Sequence, residues 1–373
     1  MRKRGLIAVL ALSLFLGGCM QSDQVENQAY VLTIGVDAVP EGIEVTTQVL
    51  KGTSSSDSEN SYMVANATGP SYGDAIHALE NVLRCKTNLN QTIMIVISEE
   101  LARSDAFKDV MNSMFYSYLL DTSAWFVVCQ QSAKEFISVQ KPVIGTRLSI
   151  AITSALQNHV DLGFVPDASF SDAFYSTASS FADPLAIYGS TKERYAKPED
   201  QQTSLQIGGA DTPSALTASS DAENIFLGAV RFRDGRMIDT LTGDEVLCLN
   251  LIQGGVTNFS IVVDGHTVYL SASGMPILSV DTSTDQPLIK VRIALNMENN
   301  TTFPEPERVK EALLEQMHAL TRHCQELQVD PFGYAIRASL GFPTLDAWND
   351  YHWRERFAEA KCEYDLSIRL IDA

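Results

Sequence analysis

The sequence predicts an α+β fold, in which mixed and antiparallel sheets pack against helices in a multi-domain chain. In the first half, segments with strand character alternate with segments of helical periodicity. In the second half, paired strands come first and helices follow as a group, which is typical of the α+β class. The composition, with 45% hydrophobic and 8% aromatic residues, is that of a globular protein.

The first half opens with a predicted hairpin, since apolar residues 30–37 and strictly alternating residues 43–50 flank a turn-forming Val-Pro-Glu-Gly segment. Residues 72–84 carry apolar side chains at helical spacing, and residues 91–97 form a continuous apolar run typical of a strand buried on both faces. The remaining elements predicted in this half are a helix at 99–119, a strand at 124–129, and helices at 132–138 and 150–159. A strand is predicted at 184–190, and polar residues 192–221 are predicted to form a linker.

The second half begins with two apolar runs, 225–232 and 237–241, on either side of Asp234-Gly235, a pair that strongly favours a hairpin turn. A short helix at 245–252 and strands at 259–263, 267–273 and 288–297 follow. A long helix begins after Pro304 or Pro306 and carries one apolar stripe along its length. Helices at 332–340 and 345–357 and a closing strand at 361–371 complete the prediction.

The length of 373 residues exceeds what one hydrophobic core usually serves, so several domains are expected. We predict a signal peptide at 1–18 and three domains. Their predicted bounds are 19–200 for an N-terminal α/β domain, 203–282 for a small β-rich domain and 283–373 for a C-terminal α+β domain.

The N-terminus has the organisation of a lipoprotein signal. Three basic residues at positions 2–4 precede an apolar run at 6–16, which is too short to cross a bilayer as a helix of roughly 20 residues. The run ends in Gly17-Gly18-Cys19, where small residues admit a peptidase and the cysteine can accept acyl chains. The sequence therefore predicts lipidation at Cys19 and a soluble ectodomain outside the cytoplasmic membrane, since no later segment is long and apolar enough to span it.

The charge balance narrows the classes of partner. The chain has 27 basic and 46 acidic residues and a formal net charge of −19. Such a surface repels phosphate backbones and anionic headgroups, which argues against nucleic acid as a partner and against a body that lies flat on the membrane.

No motif for catalysis or for binding a metal or cofactor is found, so no catalytic, cofactor-binding or metal-binding residue is predicted. His318 and His323 lie five residues apart, off a common helical face, and are poor joint ligands. The adjacent carboxylates Glu99 and Glu100 fit a helix N-terminus better than an acid–base pair. Five widely spaced cysteines follow Cys19 at positions 85, 129, 248, 324 and 362. They are interpreted as core residues, with one disulfide left open.

Aromatic residues concentrate near the C-terminus. Trp348 and Trp353 have Phe342, Tyr351 and Phe357 as neighbours in the sequence. This group could form an aromatic binding face, but packing against the last strand is favoured.

Several segments in order resemble the Ger(x)C family, the C-subunit lipoproteins of spore germination nutrient receptors. They include Cys19 at the end of its signal, the pair YVLTIGVD and IEVTTQVL, and the helix DAIHALENVL followed by NQTIMIVISEELA. Next come VVCQQSAKEFI, the hairpin LGAVRFRDGRMIDTLTGDEV, and the block VDPFGYAIRAS with the terminal YDLSIRLI. The resemblance covers nearly the whole mature sequence.

The resemblance implies a non-enzymatic, membrane-anchored ectodomain of three mixed domains without cofactors. It also implies two integral-membrane partner subunits, one of them permease-like, on the extracytoplasmic face of the membrane, which in spores is the inner spore membrane. Anchoring there would use palmitate-type acyl chains on Cys19. No ligand residues carry over from the family.

Two rival classes remain open. A solute-binding lipoprotein of a transport system has the same anchor and a similar length. Its fold, however, would begin with repeated βαβ units, whereas the first predicted strand here is followed by a hairpin partner. An anchored hydrolase would need a Ser/His/Asp or metal cluster brought together in space.

Overall fold

The computed structural model describes residues 28–50, 62–117, 120–141, 147–177, 179, 181–193, 223–299 and 304–372. The predicted signal peptide, Cys19 and most of the predicted linker at 192–221 lie outside these residues. The α+β class is confirmed, because the described chain forms two mixed sheets with helices packed against them.

The first sheet has four parallel strands at its centre and antiparallel strands at both edges. Its strand order is β3-β2-β1-β5-β6-β7-β8-β9, with β4 pairing the start of β1. The strands are β1 (Gln28–Val39), β2 (Gly42–Leu50), β3 (Tyr62–Gly69), β4 (Lys86–Asn88), β5 (Met94–Ser98), β6 (Trp125–Cys129), β7 (Leu185–Thr191), β8 (Asn224–Arg233) and β9 (Arg236–Thr242). Strands β1, β5, β6 and β7 run parallel to one another, while the β1–β2, β2–β3, β7–β8 and β8–β9 pairs are antiparallel.

Helices cover both faces of this sheet, which explains why its central strands are apolar throughout. The helices are α1 (Tyr72–Leu83), α2 (Glu99–Arg103), α3 (Ala106–Phe115), α4 (Ala133–Ser138), α5 (Leu148–Asp161) and α6 (Phe170–Thr177). One core contains residues of α1, α2, α3 and α6, and the opposite core contains residues of α4 and α5.

The second sheet has five strands. They are β10 (Asn258–Val263), β11 (His266–Ala272), β12 (Ile277–Asp281), β13 (Leu288–Glu298) and β14 (Lys361–Ile371). Strand β13 is central, since it pairs antiparallel with β11 and β12 and parallel with β14 along its whole length. Five helices form one hydrophobic core with this sheet. They are α7 (Gly243–Gln253), α8 (Pro306–Glu326), α9 (Tyr334–Ser339), α10 (Leu345–Asp350) and α11 (Trp353–Ala358).

Several helix ends follow the local sequence signals. Thr242 and Glu245 form a capping box at the start of α7, and Gly254 ends that helix in the left-handed region with φ 81°. Pro306 lies in the first turn of α8, as predicted. In the β8–β9 hairpin, Asp234 and Gly235 have φ values of 53° and 80°, which a type I′ turn requires.

Two predicted helices are each divided in the structure, so the prediction was wrong there. The helix predicted at 99–119 breaks at Ser104, whose hydroxyl donates to the carbonyl of Leu101 at 2.8 Å and competes with the helical pattern. The helix predicted at 345–357 breaks at His352, which is in the left-handed region with φ 55°.

The division into domains at 200/203 and 282/283 stays a prediction. Strands β8 and β9, from the predicted middle domain, join the first sheet, whereas β10, β11 and β12 join the second.

Candidate functional site

The predicted site residue Cys19 lies outside the described residues. Within the described residues, no helix is long and apolar enough to cross a membrane. In the same ranges, no group of three or more His, Cys, Asp or Glu side chains is placed to hold a metal ion.

The cysteines that the structure describes are free thiols. Cys129, Cys248 and Cys324 are fully buried, which confirms their interpretation as core residues, while Cys85 and Cys362 are partly buried. Burial raises the pKa of each of these thiols, to about 12 for Cys324 and Cys362. Because the thiolate is the reactive form of cysteine, these residues are poor nucleophiles.

The paired carboxylates and the aromatic group have structural roles. Glu99 begins α2, with Ser98 as its N-cap, and accepts hydrogen bonds from Tyr188 Oη and Arg103 Nε, each at 2.8 Å. Trp348 and Trp353 are 3% and 5% exposed and stack within a run of aromatic rings that includes Phe357. The favoured interpretation of these aromatic residues as core is therefore confirmed.

An ionic cluster around the buried Arg231 joins the edge of the first sheet to α8. Arg231 of β8 is 0% exposed, and its guanidinium pairs with the Asp239 carboxylate of β9. The imidazole of His323 on α8 lies with Nε2 2.9 Å from Asp239 and Nδ1 3.6 Å from Glu245 of α7. Arg231 Nη1 also donates to Cys324 Sγ at 3.0 Å. We call these five residues the ionic cluster.

The electrostatics of the ionic cluster favour a protonated His323. The hydrogen bond with Asp239 and the adjacent carboxylate of Glu245 raise the pKa of His323 to about 9. Burial alone would raise the pKa of Asp239, but the hydrogen bond from His323 and the charge of Arg231 lower it to about 2. Two cations then face two carboxylates, so the cluster is close to neutral, which offsets the cost of burying the Arg231 guanidinium.

A second set of polar contacts lies around Asp330, in the loop after α8. The Asp330 carboxylate accepts hydrogen bonds from Ala335 N at 2.7 Å and from the indole Nε1 of Trp353 at 3.0 Å. It is 2% exposed, and this burial raises its pKa to about 6 despite the hydrogen bonds. The backbone N–H of Asp330 donates to Asp183 Oδ2 at 2.7 Å, and Arg354 of α11 donates to Asp183 Oδ1 at 2.6 Å.

These contacts hold the two sheets together and leave little reactive chemistry. Asp183 lies just before β7 of the first sheet, and Arg354 also binds Asp234 in the β8–β9 turn at 2.7 Å. The charged groups therefore pair with one another where the two sheets meet, a region that we call the joint. The sequence contains no signal for either cluster, because the members of each are far apart along the chain. Arg231 and His323 are separated by 92 residues, and Asp183 and Arg354 by 171.

Away from the joint, a groove of about 630 Å³ runs along α5. It is bordered by α5, by Gln140 and Lys141 beyond the end of α4, and by residues 223–226 at the start of β8. Its lining combines aliphatic side chains of α5 and the ring of Phe226 with polar side chains such as those of Gln140 and Asn158. The sequence held no motif for this groove, because its residues come from three separate segments.

Comparisons with known proteins cover both parts of the chain. The family model described as "Spore germination protein N-terminal domain" matches residues 21–190. A second model, "Spore germination B3/ GerAC like, C-terminal", matches residues 227–373. A comparison with curated proteins finds no match.

Among solved structures, the "Crystal Structure of the GerBC protein" is similar, with a TM-score of 0.54 and 13% sequence identity. The similarity covers 91% of this chain and 96% of that chain. At this identity, the likeness shows a shared fold alone.

Proposed function

The chain belongs to the GerAC-like, or Ger(x)C, family of spore germination proteins, and we propose from this membership that it is the non-enzymatic C subunit of a nutrient germinant receptor. The observation that carries the proposal is the match of two germination family models, in order, over residues 21–190 and 227–373. The charged side chains described above pair with one another, and burial raises the pKa of the thiols. Both features support a role in assembly more than one in catalysis.

We further propose that Cys19 carries the membrane anchor. The order Leu16-Gly17-Gly18-Cys19 after an apolar run favours cleavage before the cysteine and acylation of its sulfur and amine. Each buried CH₂ contributes about 0.8 kcal/mol, so two or more acyl chains give stable attachment. The eight residues between Cys19 and Gln28 span at most about 30 Å when extended, so β1 would begin close to the lipid surface.

The proposed partners are two integral-membrane receptor subunits, one of them permease-like, on the extracytoplasmic face of the cell membrane or inner spore membrane. The net charge of −19 supports this arrangement, because repulsion from anionic lipid favours a body that projects from the membrane. Contact with partner proteins, rather than with headgroups, would then fix its orientation.

Replacement of the anchoring thiol tests the attachment. The variant Cys19→Ser should move from the membrane fraction to the supernatant when the chain is expressed in its native host. Cys85→Ser is the matched control, since this partly buried thiol lies in the folded body, and it should stay with the membranes. Sedimentation of Cys19→Ser with the vesicles would contradict the proposed anchor.

Purification of the tagged chain from detergent-solubilised membranes tests the partners. Two polytopic membrane proteins, one related to permeases, should co-purify with it. If an ABC permease co-purified instead, the chain would be a solute-binding lipoprotein and the receptor proposal would fail.

A further inference from the structure

Strand β14 lies at an edge of the second sheet. Within the described residues, β13 is the one strand that pairs with it, and this pairing runs along the whole of Lys361–Ile371. The backbone groups on the other side of β14 therefore meet no strand in the described part of the chain. An edge of this length is a template on which another strand can pair.

The hydrogen bonds at the two ends of β14 show which residues direct their backbone groups outward. Lys361 N donates to Pro287 O at 2.9 Å, and Ile371 O accepts from Asn299 N at 2.8 Å. Because Pro287 and Asn299 adjoin β13 and backbone direction alternates along a strand, the odd-numbered residues of β14 face β13. The residues that face outward are Cys362, Tyr364, Leu366, Ile368 and Leu370.

The side chains of β14 form an apolar face and a charged face. Leu366 is 2% exposed, and the side chains of Cys362, Tyr364 and Ile368 are partly buried against the same core. Leu370 continues this face and is 45% exposed. The opposite face carries Lys361, Glu363, Asp365, Ser367, Arg369 and Ile371. A strand that pairs with this edge must therefore be apolar on one face and charged on the other.

A second copy of β14 meets this requirement when it runs antiparallel with Leu366 at the two-fold axis. Leu366 then lies opposite its own copy, and Tyr364 lies opposite Ile368 of the second copy. Cys362 lies opposite Leu370 in the same way, so the apolar faces of the two strands coincide. The outward backbone groups of these residues would form about ten hydrogen bonds between the copies.

Charge favours this register over its neighbours. Glu363 lies opposite Arg369 of the second copy, at a position where side chains of an antiparallel pair approach most closely. Arg369 is exposed and forms no ion pair with another residue that the structure describes. A register with Asp365 at the axis would place this carboxylate opposite its own copy, which is destabilising. A register with Ser367 at the axis would leave the first two residues of β14 unpaired.

We propose that β14 is a homodimer interface, at which two copies of the chain join their second sheets edge to edge through antiparallel β14 strands centred on Leu366. The interface is isologous, since the same strand serves both copies. Because one strand from each copy covers a small area, the dimer should be weak and dissociate on dilution. The proposal is independent of the receptor assignment, since it depends only on the register and side chains of this strand.

Charge reversal at the Glu363–Arg369 pair tests the interface. Sedimentation equilibrium of the purified full-length chain should show a monomer–dimer equilibrium, with detergent in excess so that two chains rarely share a micelle by chance. Arg369→Glu places carboxylates opposite each other, and Glu363→Arg places guanidinium groups opposite each other. Each variant alone should dimerise about ten-fold more weakly than the wild type, because repulsion replaces attraction at both pairs.

An equal mixture of the two variants separates a loss of pairing from a loss of folding. In the mixed dimer, every glutamate of the Arg369→Glu chain lies opposite an arginine of the Glu363→Arg chain. The mixture should therefore regain dimers with about the wild-type affinity, which damaged chains would not do.

Arg337→Glu is the matched control, because it makes the same charge change at an exposed position of α9, a helix that packs on β12, across β13 from β14. It should dimerise like the wild type, and far-UV circular dichroism checks the folding of each variant. A wild-type chain that stays monomeric at every concentration would overturn the proposal and leave the edge to a different protein. Wild-type affinity of Arg369→Glu alone, or a mixture that does not regain dimers, would also overturn it.

Disulfide formation tests the register. In a mixture of Glu363→Cys and Arg369→Cys chains, the new thiols lie opposite each other at a spacing that a disulfide accepts, so oxidation should link the two variants. A mixture of Glu363→Cys and Ser367→Cys is the control, since these positions are opposite only with Asp365 at the axis. Preferential linkage in the control mixture would overturn the pairing centred on Leu366.

Discussion

At the scale of single residues, the burial of Arg231 is the feature that most needs an explanation. A guanidinium with no exposed surface is costly unless charges and hydrogen bonds compensate it. Asp239 and Cys324 supply part of this compensation, although the Arg231 Nε has no partner within the described ranges. The ionic cluster therefore fixes β8, β9 and α8 in one arrangement, because any other would leave the arginine unpaired.

The contribution of His323 to stability should depend on pH. Its pKa is raised in the folded chain to about 9, so its contribution is fully present below the ordinary value near 6.5 and is lost as the pH rises through 9. Because the side chain is 40% exposed, solvent screening limits the contribution to about 1 kcal/mol. The variant His323→Gln should thus lower the urea midpoint at pH 6 and have little effect at pH 9.5.

His77→Gln is the control for this measurement, since the His77 side chain is 79% exposed and its substitution should have a small effect at both pH values. A His323→Gln effect that grows between pH 6 and pH 9.5 would contradict the protonated state inferred for the ionic cluster.

Sequence patterns predicted some single residues well and others not at all. Burial of Cys129 and Cys248 followed from the apolar runs around them, because a local pattern sets which face of an element is covered. The convergence of Arg231 and His323 on Asp239 had no local signal. It depends on how two distant elements pack, which spacing along the chain does not encode.

At the scale of elements, close packing of α4 on β1 depends on Gly35. A Cβ at this position would lie 2.6 Å from Ile137 Cδ1 and 2.9 Å from Ala133 Cβ. Such distances force the helix away from the strand. The same contact brings the N-terminus of α4 to the end of β1, where Asp37 accepts hydrogen bonds from Ala133 N at 2.7 Å and Lys134 N at 3.0 Å.

The variant Gly35→Ala should therefore lower the free energy of unfolding by about 2 kcal/mol, as overpacking of a core does. Gly73→Ala is the matched control, because a Cβ there meets no atom closer than 3.9 Å and alanine favours the α1 helix. Urea denaturation followed by circular dichroism measures both. Equal midpoints for the two variants would show that α4 does not pack on β1 as described.

Elements with strong periodicity or a specific turn were predicted close to their observed bounds. The β8–β9 hairpin is the clearest case, because Asp234-Gly235 needs left-handed backbone that few other residue pairs accept. Strands β3, β4 and β12 and helix α6 were missed. Residues 277–281 of β12 alternate only between exposed and half-buried positions, so the apolar signal on which such predictions depend is weak.

At the scale of the whole molecule, the joint between the sheets depends on Arg354. It reaches from α11 to Asp183, whose side chain is 4% exposed, and to the exposed Asp234. Loss of the arginine would leave the Asp183 carboxylate buried without its cation, a severe cost for a buried charge.

The variant Arg354→Gln should lower the free energy of unfolding by about 2 kcal/mol, less than for a fully buried pair because the arginine is 40% exposed. Arg356→Gln is the matched control, since the Arg356 side chain is 39% exposed and pairs with Asp285 and the Tyr351 ring, both in the second half of the chain. Urea denaturation compares them, and an equal loss of stability would contradict a joint held by Arg354.

The fold class followed from the sequence, but the pairing of strands across the molecule did not. The prediction grouped β8 and β9 with the strands that follow them, whereas the structure adds them to the first sheet. A hairpin turn indicates that two strands are neighbours, but it carries no information on which of the two sheets the hairpin joins. That choice depends on apolar faces that meet only in three dimensions, such as that of Phe232, whose ring stacks on those of Phe107 and Phe126.

The parallel pairing of β13 with β14 also determines when the second sheet can form. Leu288 lies opposite Lys361 and Glu298 opposite Ile371, so each backbone hydrogen bond of this pair awaits a residue made 73 positions later. During synthesis, β13 therefore presents a bare edge of apolar and charged residues until the last strand emerges. Such an edge favours pairing with other nascent chains, and a chaperone that shields it would increase the yield of folded protein.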